Sequence, residues 1–154
     1  MMAGGCYVVI GCYLAAVGIV DIKKREVDIR FLMAGFLIAL TAPVPELMFG
    51  DETVLLLLIN TGGGLMTGLV FLAVSVMTKE EIGRADALVL CQTGIAFGLK
   101  GNLVIIGSAL ILSLPTALFM LVVRKAGKKS RIPFIPLIFF GFVVLCWTEY
   151  MNKP

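Results

Sequence analysis

The stretch VLLLLINTGGGLMTGLVFLAVSVM, residues 54–77, decides the fold class of this chain, because it contains no charged residue in 24 positions. A helix that crosses a bilayer core about 30 Å thick needs about 20 apolar residues. The stretch therefore predicts a membrane-spanning helix. The rest of the chain agrees with this prediction, since 60% of its 154 residues are apolar, only 15% are charged and the mean hydropathy is +1.05.

Outward from residues 54–77, the charged residues separate five further apolar stretches. A water-soluble domain of this length buries only about 70% of the surface that its unfolded chain exposes. A chain as apolar as this one therefore does not fit a single soluble core. The predicted fold is all-α, a polytopic membrane helical bundle of about six transmembrane helices that forms a single integral-membrane domain over residues 1–154. The predicted spans are residues 3–20, 29–43, 54–77, 87–99, 102–123 and 132–147.

Lys and Arg residues are distributed unequally between the predicted loops. Eleven of the thirteen lie in the first, third and fifth loops, and only Lys100 and Lys153 lie on the other side. The positive-inside rule makes the basic side cytoplasmic, so both termini face outward. The predicted location is the cytoplasmic (inner) membrane. The basic loops are interpreted as orienting the chain and contacting anionic lipid, with no nucleic acid as a partner.

The absence of histidine and the spacing of the four cysteines restrict the chemistry. Without imidazole, a Ser-His-Asp triad, a Cys-His pair and an HExxH zinc site are all excluded. The cysteines form no CxxC pair, so we expect small buried hydrophobic residues, with no metal site and no cofactor. Any catalysis is assigned to carboxylates, Lys, Cys, Ser or Tyr. The cysteines are Cys6, Cys12, Cys91 and Cys146.

Two of the ten acidic residues, Asp21 and Asp86, are distinguished by their position. Asp21 ends the first apolar stretch and Asp86 opens the fourth, so both lie on the basic side. The fourth stretch is about 20 Å long at about 1.5 Å per residue, which is too short to cross the membrane. A spanning helix must therefore start near Ile82 and carry Asp86 below the membrane surface. An ionisable residue at that depth is a functional hypothesis by default. We expect packing of the first and fourth spans to bring the two aspartates together.

A pair of carboxylates in a low-dielectric cleft can cut a peptide bond without imidazole, metal or cofactor. One carboxyl keeps its proton and hydrogen-bonds the scissile carbonyl, while the charged carboxylate takes a proton from the attacking water. The alternative is structural: Asp21 and Asp86 mark helix ends and pair with Lys24 or Arg84. The other acidic residues on this side are interpreted as solvated loop charges, namely Glu26, Asp28, Glu80 and Glu81.

Three short motifs follow one another along the chain: DIKKREVD at residues 21–28, GRAD at 83–86 and IPFIP at 132–136. In this order they resemble the type IV prepilin peptidases and the related preflagellin peptidases, which are membrane aspartic proteases of the GxGD type. The first is similar to that family's aspartate followed by a basic stretch, the second stands in the place of GxGD, and the third is similar to its Pro-Phe-x-Pro element. The resemblance covers about residues 15–145.

The resemblance implies that Asp21 and Asp86 are the catalytic pair of an aspartic endopeptidase. The implied partner is a prepilin or pilin-like precursor protein, whose basic leader peptide is removed at the cytoplasmic face. The paired-cysteine extension of longer, methylating members has no counterpart, which implies a minimal, protease-only form. The motif residues that the resemblance implies are Gly83, Arg84 and Ala85 around the second aspartate, and Pro133, Phe134 and Pro136 in a structural motif.

Two alternatives to a peptidase remain open from the sequence. The first is a catalytically inactive polytopic homologue that binds pilin-like helices without cutting them, favoured by Ala85 in the place of the signature's second glycine. The second is a small proton-coupled transporter that uses Asp86. Six spans permit transport, but the two halves of the chain show no repeat and both aspartates lie at one membrane edge.

Overall fold

The structure, a computed structural model, describes residues 4–24, 27–49, 53–77, 83–123 and 134–151, and these residues form helices joined by short connections. The predicted all-α helical bundle is therefore confirmed. The helical segments in chain order are α1 (Gly4–Lys24), α2 (Ile29–Thr41), α3 (Val44–Phe49), α4 (Val54–Met77), α5 (Arg84–Val123) and α6 (Ile135–Met151).

Apolar side chains cover the outside of the bundle as well as its interior. In α4, Leu55, Leu58 and Ile59 are each more than 60% exposed. A helix that is apolar all round suits an apolar surrounding rather than water. By length and composition alone, four described stretches are sufficient to cross a membrane: Gly5–Lys23, Ile29–Met48, Val54–Met77 and Arg84–Phe119.

The long segment α5 folds back on itself at Gly98, which has φ 67° and ψ −171°, outside the helical range. The side chain of Asn102 donates a hydrogen bond to the Leu90 carbonyl at 3.2 Å and accepts one from the Thr93 hydroxyl at 2.8 Å. Asn102 and Leu90 would be about 18 Å apart along a continuous helix. The chain therefore reverses at Gly98 into two antiparallel arms, residues 84–97 and 99–123.

Glycines allow α4 to approach the first arm of α5 at backbone distance. A Cβ atom on Gly64 would collide with the carbonyl of Gly94, and a Cβ on Gly68 would lie 2.5 Å from the Cα atom of Cys91. Such close backbone contact through small residues is a common way for helices to pack in membranes. Because of it, α4 supports the first arm along most of its length.

The helices α1, α2 and α6 complete the bundle around the first arm of α5. At the end of this arm near Gly98, the rings of Tyr7, Phe97 and Phe142 pack with centroids 5.4–6.4 Å apart. At the other end of the bundle, Gly18 near the end of α1 lies against Pro136 at the beginning of α6. The C-terminal end of α1 and the N-terminal end of α6 therefore lie side by side.

Candidate active site

Asp21 lies in the last turn of α1, because the helix continues through it to Lys24 and does not end at residue 20 as predicted. The side chain is partly buried, and the backbone N–H of Ile135 in α6 is within hydrogen-bonding reach of its carboxylate. The Oδ2 atom is buried and has no hydrogen-bond partner among the described residues. A buried carboxylate oxygen of this kind needs an explanation, for which a bound water or a proton is the usual one.

Asp86 lies in the first turn of α5, which begins at Arg84, so the helix starts before the apolar stretch and carries Asp86, as expected for a spanning helix. An acidic side chain in the first turn is favoured by the helix dipole. Gly83 precedes the helix, and its carbonyl accepts a hydrogen bond from the N–H of Ala87 at 3.3 Å. The carboxylate of Asp86 folds back over Gly83, since a Cβ atom there would lie 2.6 Å from Oδ2. Gly83 thus provides the space that this carboxylate occupies.

The two aspartates come from distant parts of the sequence and lie close enough for their charges to interact. The first and fourth predicted spans do contact each other, through side chains rather than through close backbone approach. The helix α1 packs along α6 and α2. Its contacts with α5 are made by long side chains, Tyr13 with Gln92 and Tyr7 with Phe97.

The residues of the second motif have different environments. The side chain of Arg84 is exposed, whereas Ala85 packs against the hydrophobic core. The alternative in which Lys24 and Arg84 pair with the aspartates stays a hypothesis, because the side chain of Lys24 lies outside the described residues.

The third motif lies beside Asp21, at the beginning of α6. Phe134 packs against the core, and the Cα atom of Pro136 lies 3.6 Å from the position of a Cβ on Gly18. Pro133 lies outside the described residues. The motif therefore supplies a surface for the end of α1 and places the backbone N–H of Ile135 near the carboxylate of Asp21.

Asp28 is exposed, in agreement with its interpretation as a solvated charge, and it has a further role at the start of a helix. It is the N-cap of α2, and its carboxylate accepts a hydrogen bond from the backbone N–H of Arg30 at 3.0 Å. An aspartate directly before an apolar helical stretch is a typical N-cap signal, so the sequence contained this information.

Gln92 is the residue near the pair that the sequence reasoning missed. Its side chain is 3% exposed, its Oε1 accepts a hydrogen bond from the Tyr13 hydroxyl at 2.8 Å, and its Nε2 donates to the Leu32 carbonyl at 2.9 Å. Three helices, α1, α2 and α5, therefore meet at one amide. The available signal was the amide itself, since a buried amide in an apolar stretch requires polar partners.

The four cysteines are unpaired thiols, of which Cys91 is buried and Cys12 is exposed. Within the described part of the chain, no group of three or more His, Cys, Asp or Glu side chains is arranged to hold a metal ion. The chemistry that this site offers by itself is proton transfer between two carboxyl groups and a water molecule.

Comparisons of the chain with protein-family models, with curated proteins and with solved structures found no match in any of the three. The resemblance to the prepilin peptidases therefore rests on the three sequence motifs.

Proposed function

We propose that this chain is a membrane aspartic endopeptidase that removes the basic leader peptide from type IV prepilin or pilin-like precursors. The observation that carries the proposal is the pair Asp21 and Asp86, whose partly buried carboxylates interact although they come from separate helices. Because the sequence contains no histidine, carboxyl groups are the natural acid and base for such a reaction.

The proposed reaction uses one charged and one protonated carboxyl group. The charged group takes a proton from water while the water oxygen attacks the scissile carbonyl carbon, and the protonated group hydrogen-bonds the carbonyl oxygen. The tetrahedral intermediate then collapses, its C–N bond breaks, and the leaving amine takes a proton from a carboxyl group.

The proposed membrane arrangement has six spans: α1, α2 with α3, α4, the two arms of α5, and α6. The excess of Lys and Arg near the aspartate end orients that end toward the cytoplasm of the cytoplasmic membrane. The leader peptide of the precursor is basic, so the charged carboxylate of the pair complements it at close range. The apolar helix that follows the leader remains in the lipid beside the enzyme.

The test uses the purified chain in detergent with a pilin-like precursor that has a Lys- and Arg-rich leader before an apolar helix. We expect the parent protein to cut this precursor once, and Asp21→Asn and Asp86→Asn each to lower kcat by about 10²–10⁴-fold. Asp28→Asn is the matched control, because it removes a carboxylate from the same end of the bundle. Asparagine is as good an N-cap as aspartate, so α2 is preserved.

The cleavage assay, together with a proton-flux assay in liposomes, separates the proposal from its alternatives. Full activity of both Asp21→Asn and Asp86→Asn would contradict the assigned site. Binding of the precursor without cleavage by the parent protein would favour the inactive homologue. Proton flux into liposomes that is lost only in Asp86→Asn would favour the transporter.

A further inference from the structure

The hydrogen-bonded group of Tyr13, Gln92 and the Leu32 carbonyl, here named the amide clamp, is a polar contact inside an otherwise apolar region of the bundle. The Tyr13 hydroxyl donates to Gln92 Oε1 at 2.8 Å, and Gln92 Nε2 donates to the Leu32 carbonyl at 2.9 Å. The neighbouring side chains Leu14, Ile38 and Ala96 are apolar. Gln92 is 3% exposed, so water competes little for its amide, whereas the Tyr13 hydroxyl is half-buried and also lies 3.3 Å from the Phe31 carbonyl.

Gly35 in α2 makes this group possible. A Cβ atom at position 35 would collide with the Tyr13 hydroxyl and with Gln92 Oε1. Position 35 therefore requires glycine because three helices approach closely there. The backbone conformation at this position is helical and does not itself require glycine. The local sequence of α2 is thus fitted to the contact between α1 and α5.

The amide clamp joins the two helices that carry the aspartates. Tyr13 precedes Asp21 by about 12 Å along α1, and Gln92 follows Asp86 by about 9 Å along α5, at about 1.5 Å per residue. Another contact between these helices, Tyr7 with Phe97, is further from the aspartates and is formed by rings without a described hydrogen bond. Of these two contacts, the clamp is the one near the pair.

We propose that the amide clamp positions Asp21 relative to Asp86, with Tyr13 and Gln92 as positioning residues that do not touch the substrate. The part of the proposal that concerns catalysis rests on the proposed function above. The part that concerns the separation of the helix ends does not, and it is measured without any substrate.

The separation is measured by electron paramagnetic resonance between spin labels at Ile22→Cys and Arg84→Cys, in a background whose four native cysteines are replaced by alanine. Both positions are exposed and adjacent to the aspartates, which stay intact. We expect Tyr13→Phe to shift and broaden the distance distribution. The matched control is Tyr7→Phe, which removes a hydroxyl from the same helix but keeps the ring beside Phe97, and we expect it to leave the distribution unchanged.

A double variant separates positioning from simple loss of stability. Tyr13→Phe alone leaves the Gln92 amide buried without its donor, whereas Tyr13→Phe with Gln92→Leu leaves no side-chain polar group unpaired. We expect the double variant to regain thermal stability but to keep the shifted distance distribution. If the double variant regains the parent distribution as well, or if Tyr13→Phe never changes it, the clamp is ordinary packing and the proposal is wrong.

Kinetics then test the link to catalysis. A displacement of about 1 Å in a catalytic group costs about 10²-fold in rate, so we expect Tyr13→Phe to lower kcat by about 10²-fold with KM unchanged. An unchanged kcat together with a shifted distance would overturn the catalytic part. If the parent cuts no precursor but the distances shift as expected, the proposed function fails and the clamp stands.

Discussion

At the scale of single residues, Asn102 is the most highly connected polar side chain in the described part of the bundle. It is 0% exposed. Its Nδ2 lies 2.6 Å from the Thr67 hydroxyl, 3.1 Å from the Gly64 carbonyl and 3.2 Å from the Leu90 carbonyl, and its Oδ1 accepts from Thr93. One amide therefore joins α4 to both arms of α5.

Replacing Asn102 by alanine removes these hydrogen bonds and leaves a small cavity. We expect Asn102→Ala to lower the free energy of unfolding by about 1–2 kcal/mol, since side-chain hydrogen bonds between membrane helices contribute about that much. Unfolding in mixed micelles measures the change. Ser113→Ala is the control, because that hydroxyl bonds only to the Leu110 carbonyl within its own helix in the structure. Equal stability of the two variants would contradict the role given to Asn102.

At the scale of elements, the reversal of α5 depends on a backbone conformation that only glycine adopts easily. Gly98 has φ 67° and ψ −171°, and a Cβ atom there would collide with the side chain of Asn60. The same asparagine accepts a hydrogen bond from the backbone N–H of Leu99 at 3.0 Å. A side chain at position 98 would therefore disturb both the turn and its polar support.

We expect Gly98→Ala to lower the free energy of unfolding by about 1–3 kcal/mol, the usual range for a non-glycine residue in a strained conformation. Gly107→Ala in the second arm is the matched substitution. It lies in the helix with nothing within 4 Å of its would-be Cβ, so it is expected to stabilise by up to about 1 kcal/mol. Thermal unfolding in detergent compares the two. Similar melting temperatures would mean that the turn does not require glycine.

The elements that the sequence predicted best are those bounded by charges. Residues 54–77 form α4 with the predicted ends, because charged residues lie near both ends and none lies between them. The C-terminal end of α1 was predicted less well, since the helix runs to Lys24 and the predicted span ends at residue 20. A change from apolar to charged residues marks a membrane boundary, but Lys23 and Lys24 continue a helix as readily as apolar residues do. Both aspartates thus lie inside helical turns.

The candidate site was predictable only in part, for a reason that Gln92 illustrates. Asp21 and Asp86 are recognisable in the sequence because each follows or precedes an apolar stretch directly. Gln92 is six residues from Asp86 and lies on a different helix face, so periodicity along α5 assigns it no role. Its partners, Tyr13 and Leu32, belong to other helices. Only the tertiary arrangement of α1, α2 and α5 reveals that contact.

At the scale of the whole molecule, the unequal distribution of charge follows the long axis of the bundle. Lys23 lies near Asp21 at the end of α1, whereas Lys100 lies beside the reversal of α5. The antiparallel order of the helices puts these two lysines at opposite ends. The predicted topology assigns eleven of the thirteen Lys and Arg residues to the side of Lys23, so the net charge of +3 combines a basic side with a side that has few basic residues.

This polarity predicts the orientation of the chain in a membrane. Single cysteines at Lys23→Cys and Lys100→Cys, in the background without native cysteines, can be labelled with a membrane-impermeant maleimide, since both lysine side chains are exposed. In right-side-out vesicles we expect labelling at position 100 alone, and in inside-out vesicles at position 23 alone, because the basic end stays cytoplasmic. Detergent-opened vesicles, in which both positions react, are the control. Labelling of both positions from one side would mean that α1 or the first arm of α5 does not cross the membrane. Asp21 and Asp86 would then lack the shared membrane edge that the proposed reaction requires.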